Sequence, residues 1–194
     1  MSRIDRKDQI IAAALELFRS KGFADVSTRD LAEHAGLSRS HVYHYFSDWN
    51  ELRRAAFVRF ANEQLEEVRA PLVDLSPLDA LVGFLRDCLP YTADAGWALW
   101  LDAWDEAMHD PQMAQAYLEI NAQWQAMLAA VIEQGMGEGV FHCDSSQRAA
   151  RQIFALAMGY ADDLMLKPST ESAEAVLDEV MEVARLLLGF PETP

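Results

Sequence analysis

The sequence predicts an all-α protein, and three observations carry that expectation. Apolar residues make up 51% of the chain and recur near every 3.6 positions in the longer segments, the period of helices packed along one face. Strand-like alternation is absent. Gly and Pro, which interrupt helices, number only 9 and 7 in 194 residues. A chain of this length buries a sizeable core as one unit, or divides into a small N-terminal module and a larger body. About nine helices are expected: a three-helix head over residues 1–48 on a helical body over residues 49–194.

The first helix is expected over Asp5–Lys21, with Ile10, Ile11, Ala14, Leu15 and Phe18 on one stripe and Gly22 where a left-handed C-cap belongs. Ser27 or Thr28 caps a second helix, Asp30 lies in a capping-box position three residues after Ser27, and Leu31, Ala32 and Ala35 form its buried face up to Gly36. Helices that cross steeply at short range need a small residue at the crossing and a turn residue tolerant of positive φ; Ala32 and Gly36 meet those needs. Ser38 caps the third helix, Arg39–Phe46. That helix turns Val42 and Phe46 inward and leaves Arg39, Ser40, His41, Tyr43, His44 and Tyr45 outward.

Two short helices around a tight turn, within Thr28–Leu52, read as a helix-turn-helix for double-stranded DNA. Arg39 can donate bidentately to guanine, Ser40 and His41 reach base edges or phosphates, and the hydroxyls of Tyr43 and Tyr45 suit phosphate oxygens. Thr28 and the amides opening the second helix can hold a further phosphate. An ordinary helical hairpin with polar residues outside is the competing reading.

The net charge of −15 argues against a nucleic-acid partner until it is divided along the chain. Residues 1–60 hold 10 Lys/Arg against 8 Asp/Glu, net +2, whereas residues 61–194 hold 6 against 23, net −17. Only the head can approach phosphate, and the acidic body is pushed away from the duplex.

Over about 45 residues the head resembles the tetracycline-repressor (TetR) family of bacterial regulators. The resemblance lies in Lys21-Gly22-Phe23, Thr28, Leu31-Ala32, Ala35-Gly36-Leu37-Ser38 and the aromatic run Tyr43-His44-Tyr45-Phe46. It implies a homodimeric repressor that binds a palindromic operator and is released by a small-molecule effector held in the body. Two departures stand out. Ser47-Asp48-Trp49 replaces the family's short turn and phosphate-touching lysine, which makes Trp49 a candidate for packing on the DNA backbone, and His41 stands where a small hydroxyl residue is more usual.

Trp49 opens a long helix expected to reach Arg69 and to link head to body. Pro71 and Pro77 bracket a short connection before a helix from Leu78 to Leu89, ended by Pro90. Gly96–Met108 is expected to place Trp97, Trp100, Leu101, Trp104 and Met108 on one face, with Asp105 on its flank and Asp102 and Glu106 pointing more nearly away. Pro111–Gln134 carries Met113, Tyr117, Ile120, Trp124, Met127, Leu128 and Val131 in a similar stripe. Such stripes are either core or a ligand chamber. Flat side chains with an acid at the edge suit a cation or an extended apolar molecule. The Trp-rich helix, Asp110-Pro111 and the following EQGMGEGVF are similar to the betaine-regulator-like subgroup of the family.

Gly135–Asp144 reads as a loop. Gln147–Leu166 then carries Ile153, Phe154, Leu156, Ala157, Met158, Tyr160, Leu164, Met165 and Leu166 on nearly every side, and a helix without a polar face must be covered all round. That points to a subunit interface with the last helix, Ser172–Leu188, a four-helix seam that the family resemblance also implies. Asp162 shares a face with Phe154, Met158 and Met165, so it lies either in the interface or in the pocket.

Cys88 and Cys143 lack metal-ligand spacing, and no apolar run approaches the ~20 residues that span a bilayer. A cytoplasmic protein without membrane, metal or cofactor partner is expected. His41 and His44, His109-Asp110 and His142-Cys143 fall outside any recognisable metal or catalytic pattern, and no phosphate loop or nucleophile elbow is present. Two rival readings remain: a small helical enzyme using the Trp-lined cavity, and a helical partner-binding protein.

Overall fold

The computed structural model describes residues 3–92 and 94–191. Residues 1–2 and 192–194, the ends of the two expected domains, lie outside the described residues. Among the described residues are nine α-helices and no strand: α1 (Arg3–Lys21), α2 (Thr28–His34), α3 (Arg39–Tyr45), α4 (Trp49–Leu72), α5 (Pro77–Asp87), α6 (Ala95–Ala107), α7 (Pro111–Gly137), α8 (Ser146–Leu166) and α9 (Thr170–Leu188). They form two compact units, Met1–Glu63 with Asp94–Ile120, and Gln64–Ala93 with Asn121–Pro194.

The first unit is built on α1. Its stripe of Ile10, Ile11, Ala14, Leu15 and Phe18 is buried as expected, and α1 packs against both α2 and α6. Ser27 caps α2 with both reciprocal bonds of a capping box, one from the Asp30 N–H to the Ser27 hydroxyl at 3.3 Å and one from the Ser27 N–H to the Asp30 carboxylate at 2.8 Å. Gly36 has φ 64; at that angle a side chain is strained, so glycine makes the turn. Ser38 caps α3, and Phe46, expected as the last helical residue, instead caps it in an extended conformation.

In the second unit α8 packs on α9, which also meets α5. Ser145 and Ser169 cap α8 and α9, and Gly189 closes α9 in the left-handed conformation with φ 66. Their buried faces are Ile153, Phe154, Ala157 and Leu164 on α8, and Ala173, Leu177, Val180, Ala184 and Leu188 on α9.

Several boundaries differ from the sequence expectation. Helix α4 runs to Leu72 and takes Pro71 into its last turn. A proline so close to the C-terminus breaks one hydrogen bond of a turn already anchored by buried Val68 and Leu72. Ser76 caps α5, so Pro77 is its first residue and not the end of a connection. The helix then stops at Asp87, where the Cys88 N–H is shared between the carbonyls of Phe84 and Leu85, each at 3.2 Å. Helix α7 continues through Gly135 to Gly137. The N–H groups of Val140 and Phe141 both return to the Gly135 carbonyl, at 2.8 and 3.0 Å. The Phe141 ring lies where a Cβ on Gly135 would stand, 2.1 Å from that position, so only glycine admits this reversal.

Candidate functional site

The reading helix is held from beneath. Val42 and Phe46 are 1% exposed, which fixes the rotation of α3 and leaves Arg39, Ser40, His41 and His44 exposed in solvent. Arg39 makes no ion pair among the described residues, so its guanidinium fork is available to an anion or a base edge. The rings of His41 and Tyr45 lie 5.6 Å apart and those of His44 and Tyr45 5.1 Å apart, so Tyr45 is half-buried between two imidazoles.

Thr28 and Tyr43, both expected to hold phosphate, are bonded to each other: their hydroxyls lie 2.9 Å apart. Thr28 is buried while Tyr43 remains 42% exposed. The pair ties the start of α2 to the middle of α3, and the Tyr43 hydroxyl keeps capacity for a second partner. Trp49 stands edge-on to Phe18, with ring centroids 6.0 Å apart, and is half-buried at the start of α4. Nearby, Asp48 accepts from the Glu51 N–H at 2.7 Å, and Glu51 accepts from the Ser47 N–H at 2.7 Å. The Ser47 N–H, with lesser help from Lys7, holds the Glu51 carboxyl below its ordinary range.

The sequence placed the wrong face of α6 inward. Leu99 and Ala103 are buried, whereas Leu101, Trp104 and Met108 are 46%, 53% and 64% exposed and Asp105 is exposed beside them. The reason is close packing. Gly96, Leu99 and Ala103 lie on the buried face of a helix that packs against α1, and the bulkier indole edge turns outward. Trp97 is half-buried and Trp100 stands between the two faces.

That rotation brings inward the two acids expected to point away. Asp102 accepts from the Phe23 N–H at 2.7 Å, directly beyond the left-handed Gly22 with φ 80. Glu106 lies 3.0 Å from the Arg53 guanidinium on α4. The contact is an ion pair rather than a hydrogen bond, because both Glu106 oxygens and Arg53 Nε are buried without a hydrogen-bond partner among the described residues. Burial raises the Glu106 carboxyl above its ordinary range, and Arg53 offsets part of that rise. The i, i+4 spacing of Asp102 and Glu106 beside Leu99 and Ala103 was the available signal for this face.

The expected ligand residues fall into two aromatic groups, one in each unit. In the first, Trp100 meets Phe57 edge-on at 5.1 Å and Tyr117 at 5.6 Å, while Phe57 and Tyr117 stack at 5.7 Å with 8° between planes. In the second, Phe84 lies 5.9 Å from Trp124 and 6.4 Å from Phe154. Met158 is half-buried, and Asp162 is exposed on α8 of the single chain, outside the buried face of the second unit. Trp124 is 7% exposed, and its indole N–H has no hydrogen-bond partner among the described residues. Leaving such a donor unpaired costs about 1–3 kcal/mol. Sequence reading missed Phe57 and Phe84, which complete the two groups; both repeat at helical spacing with buried neighbours and looked like ordinary core.

A capped two-helix unit with a rigidly seated, polar-faced second helix, carried on an all-helical chain, defines a helix-turn-helix DNA-binding protein. Comparison with known proteins makes the class specific. Residues 10–56 match the bacterial regulatory proteins of the tetR family, and residues 77–189 match the BetI-type transcriptional repressor C-terminal domain. The chain is 26% identical over 191 residues to the HTH-type transcriptional regulator CymR of Pseudomonas putida, covering 94% of this chain and 90% of that one. It is 32% identical over 114 residues to the regulator BetI of Stenotrophomonas maltophilia, covering 57% and 58% of the two chains. Among solved structures, a TetR regulator from Haloarcula marismortui superimposes with TM-score 0.82 at 21% identity over 95% of this chain and 98% of that one. A putative transcriptional regulator from Saccharomonospora viridis, solved in complex with choline, does so with TM-score 0.79 at 20% identity over 96% and 98%. The chain belongs to the TetR family of bacterial transcriptional regulators, with a C-terminal part of the BetI type. Regulators of this family bind DNA operators and small-molecule effectors and act as dimers. No helix among the described residues is long and apolar enough to cross a membrane.

Proposed function

We propose that this regulator is a cytoplasmic homodimeric repressor that sits on a palindromic operator and leaves it when an effector binds the body. DNA binding resides in residues 1–48 and effector binding with dimerisation in residues 49–194. The observation that carries the reading is the seating of α3: Val42 and Phe46 are buried while Arg39, Ser40, His41 and His44 are exposed together. Arg39 reads a guanine edge. Ser40, His41, His44 and Tyr45 share bases and phosphates, and the Thr28–Tyr43 pair meets a phosphate through the remaining capacity of its hydroxyls. Trp49 borders the phosphate backbone from the start of α4.

Two subunits join through α8 and α9. In support, Leu166, Val183 and Leu186 are 84%, 37% and 70% exposed on these helices, an unusual amount of hydrocarbon to leave in water. The effector is a small hydrophobic or cationic molecule held either by Trp97, Trp100 and Tyr117 in one unit or by Trp124 and Phe154 with Met158 in the other. The choline bound by the S. viridis protein supports the cationic option. The exposed Trp104, Asp105 and Asp162 are not carried into this site.

A gel-shift titration of the DNA upstream of the chain's own coding sequence tests the assignment. Arg39→Ala is expected to weaken binding about 5- to 150-fold, the worth of one bidentate guanine contact of about 1–3 kcal/mol. Unchanged binding would overturn the placement of the base-reading helix.

A further inference from the structure

We infer that the effector is an uncharged, largely apolar molecule with one hydrogen-bond acceptor, which it places on the indole N–H of Trp124. This rests on the reading above, that the body binds an effector, and names the effector's chemistry. Trp124 is 7% exposed and its Nε1 is buried without a partner among the described residues. An indole N–H donates and cannot accept, so what completes it is an acceptor: a carbonyl, ester or ether oxygen. The surrounding surface is aromatic and apolar. The Phe84 ring lies 5.9 Å from Trp124 and 6.4 Å from Phe154, and Met127 and Leu128 follow on the same helix, both buried.

The charge of the ligand follows from what the interior lacks. Among the described residues of the second unit, Ser146 is the one fully buried polar residue, its hydroxyl taken by Glu133 at 3.0 Å, and the half-buried Tyr91 also has its hydroxyl buried without a hydrogen-bond partner. The buried Cys88 thiol is held protonated, because burial pushes it up. No carboxylate, Lys or Arg is fully buried there; Asp87, one turn beyond Phe84 on α5, is exposed by area, though partial burial raises its carboxyl above the ordinary range. A buried charge without a partner is expensive. A quaternary ammonium group itself offers the Trp124 N–H no acceptor.

Thermal shift and tryptophan fluorescence with four probes of similar size test this: acetophenone, ethylbenzene, benzoate and phenyltrimethylammonium, with choline as a fifth. Acetophenone is expected to stabilise the full chain most and ethylbenzene less. Trp124→Phe, or replacement of Trp124 by benzothienylalanine, which keeps the ring and deletes the N–H, is expected to weaken acetophenone binding about tenfold, the worth of one hydrogen bond. The benzothienyl replacement, which keeps the ring, is not expected to affect ethylbenzene. Three results would overturn the inference: either ammonium compound or benzoate stabilising more than acetophenone, an unchanged acetophenone preference without the N–H, or no stabilisation by any probe. Each of these leaves the regulator reading intact as long as the protein still shifts its upstream DNA, so the two fail separately.

Discussion

Asp102→Ala removes the acceptor that the Phe23 N–H meets at 2.7 Å. Phe23 is 4% exposed, so its amide has little access to water as a substitute acceptor. An unpaired buried donor costs about 1–3 kcal/mol, and the loss belongs in the upper half of that range because the acceptor is a carboxylate. The corner is also tight: a Cβ on Gly22 would stand 3.2 Å from the same carboxylate oxygen. At about 2–4 °C per kcal/mol for a chain of this size, the melting temperature should fall by about 4–12 °C. Asp102→Asn keeps an oxygen in place and should cost about half as much. Circular dichroism melts give the magnitude, and hydrogen exchange at the Phe23 amide gives the cause. If that amide keeps its protection in Asp102→Ala, the carboxylate is not what holds α6 to the end of α1, and the reasoning fails.

Gly135→Ala should be more damaging than Gly36→Ala. In the first a Cβ would lie 2.1 Å from the Phe141 ring, an overlap expected to cost about 1–3 kcal/mol or more. In the second nothing stands within 4 Å, leaving only the strain of φ 64, about 1–2 kcal/mol; urea melts of both variants decide, and the reverse order contradicts the packing described for Phe141. Glu106 should make stability depend on pH. Its folded carboxyl lies above the ordinary 4.5 because of burial, so the folded state holds the proton more tightly. Its contribution is therefore full below 4.5 and is lost as pH climbs through the raised folded value. Glu106→Gln should flatten that decline in urea midpoints measured from about pH 4 to about pH 7, and an equal or steeper decline would show that the carboxyl is not the source.

What the sequence made legible was set by local chemistry. Ser27 with Asp30, Ser38 before α3 and Gly36 at the turn act within a few residues of themselves, so their roles could be read without the fold. The face of α6 could not be read that way. Hydrophobicity favoured the stripe of Trp97, Leu101 and Trp104, but close approach to α1 favoured Gly96, Leu99 and Ala103, and that choice belongs to tertiary packing. Asp102 and Glu106 came inward with the rotation, and their partners, the Phe23 amide and Arg53, are remote in sequence. The end of α7 was missed for a related reason. Glycine usually marks a helix end, but at Gly135 its missing side chain makes room for Phe141. Of the expected phosphate contacts, Thr28 and Tyr43 prove to be partners of each other, a pairing across the turn that spacing alone does not reveal.

The central claim, that this chain binds DNA through a weakly basic head carried on an acidic body, meets its most direct test in a salt titration. Fluorescence anisotropy with the duplex from upstream of its own coding sequence should give log K falling linearly with log salt, with a slope near −0.9 for each phosphate neutralised. Absence of binding at low salt, or binding indifferent to salt, would contradict it.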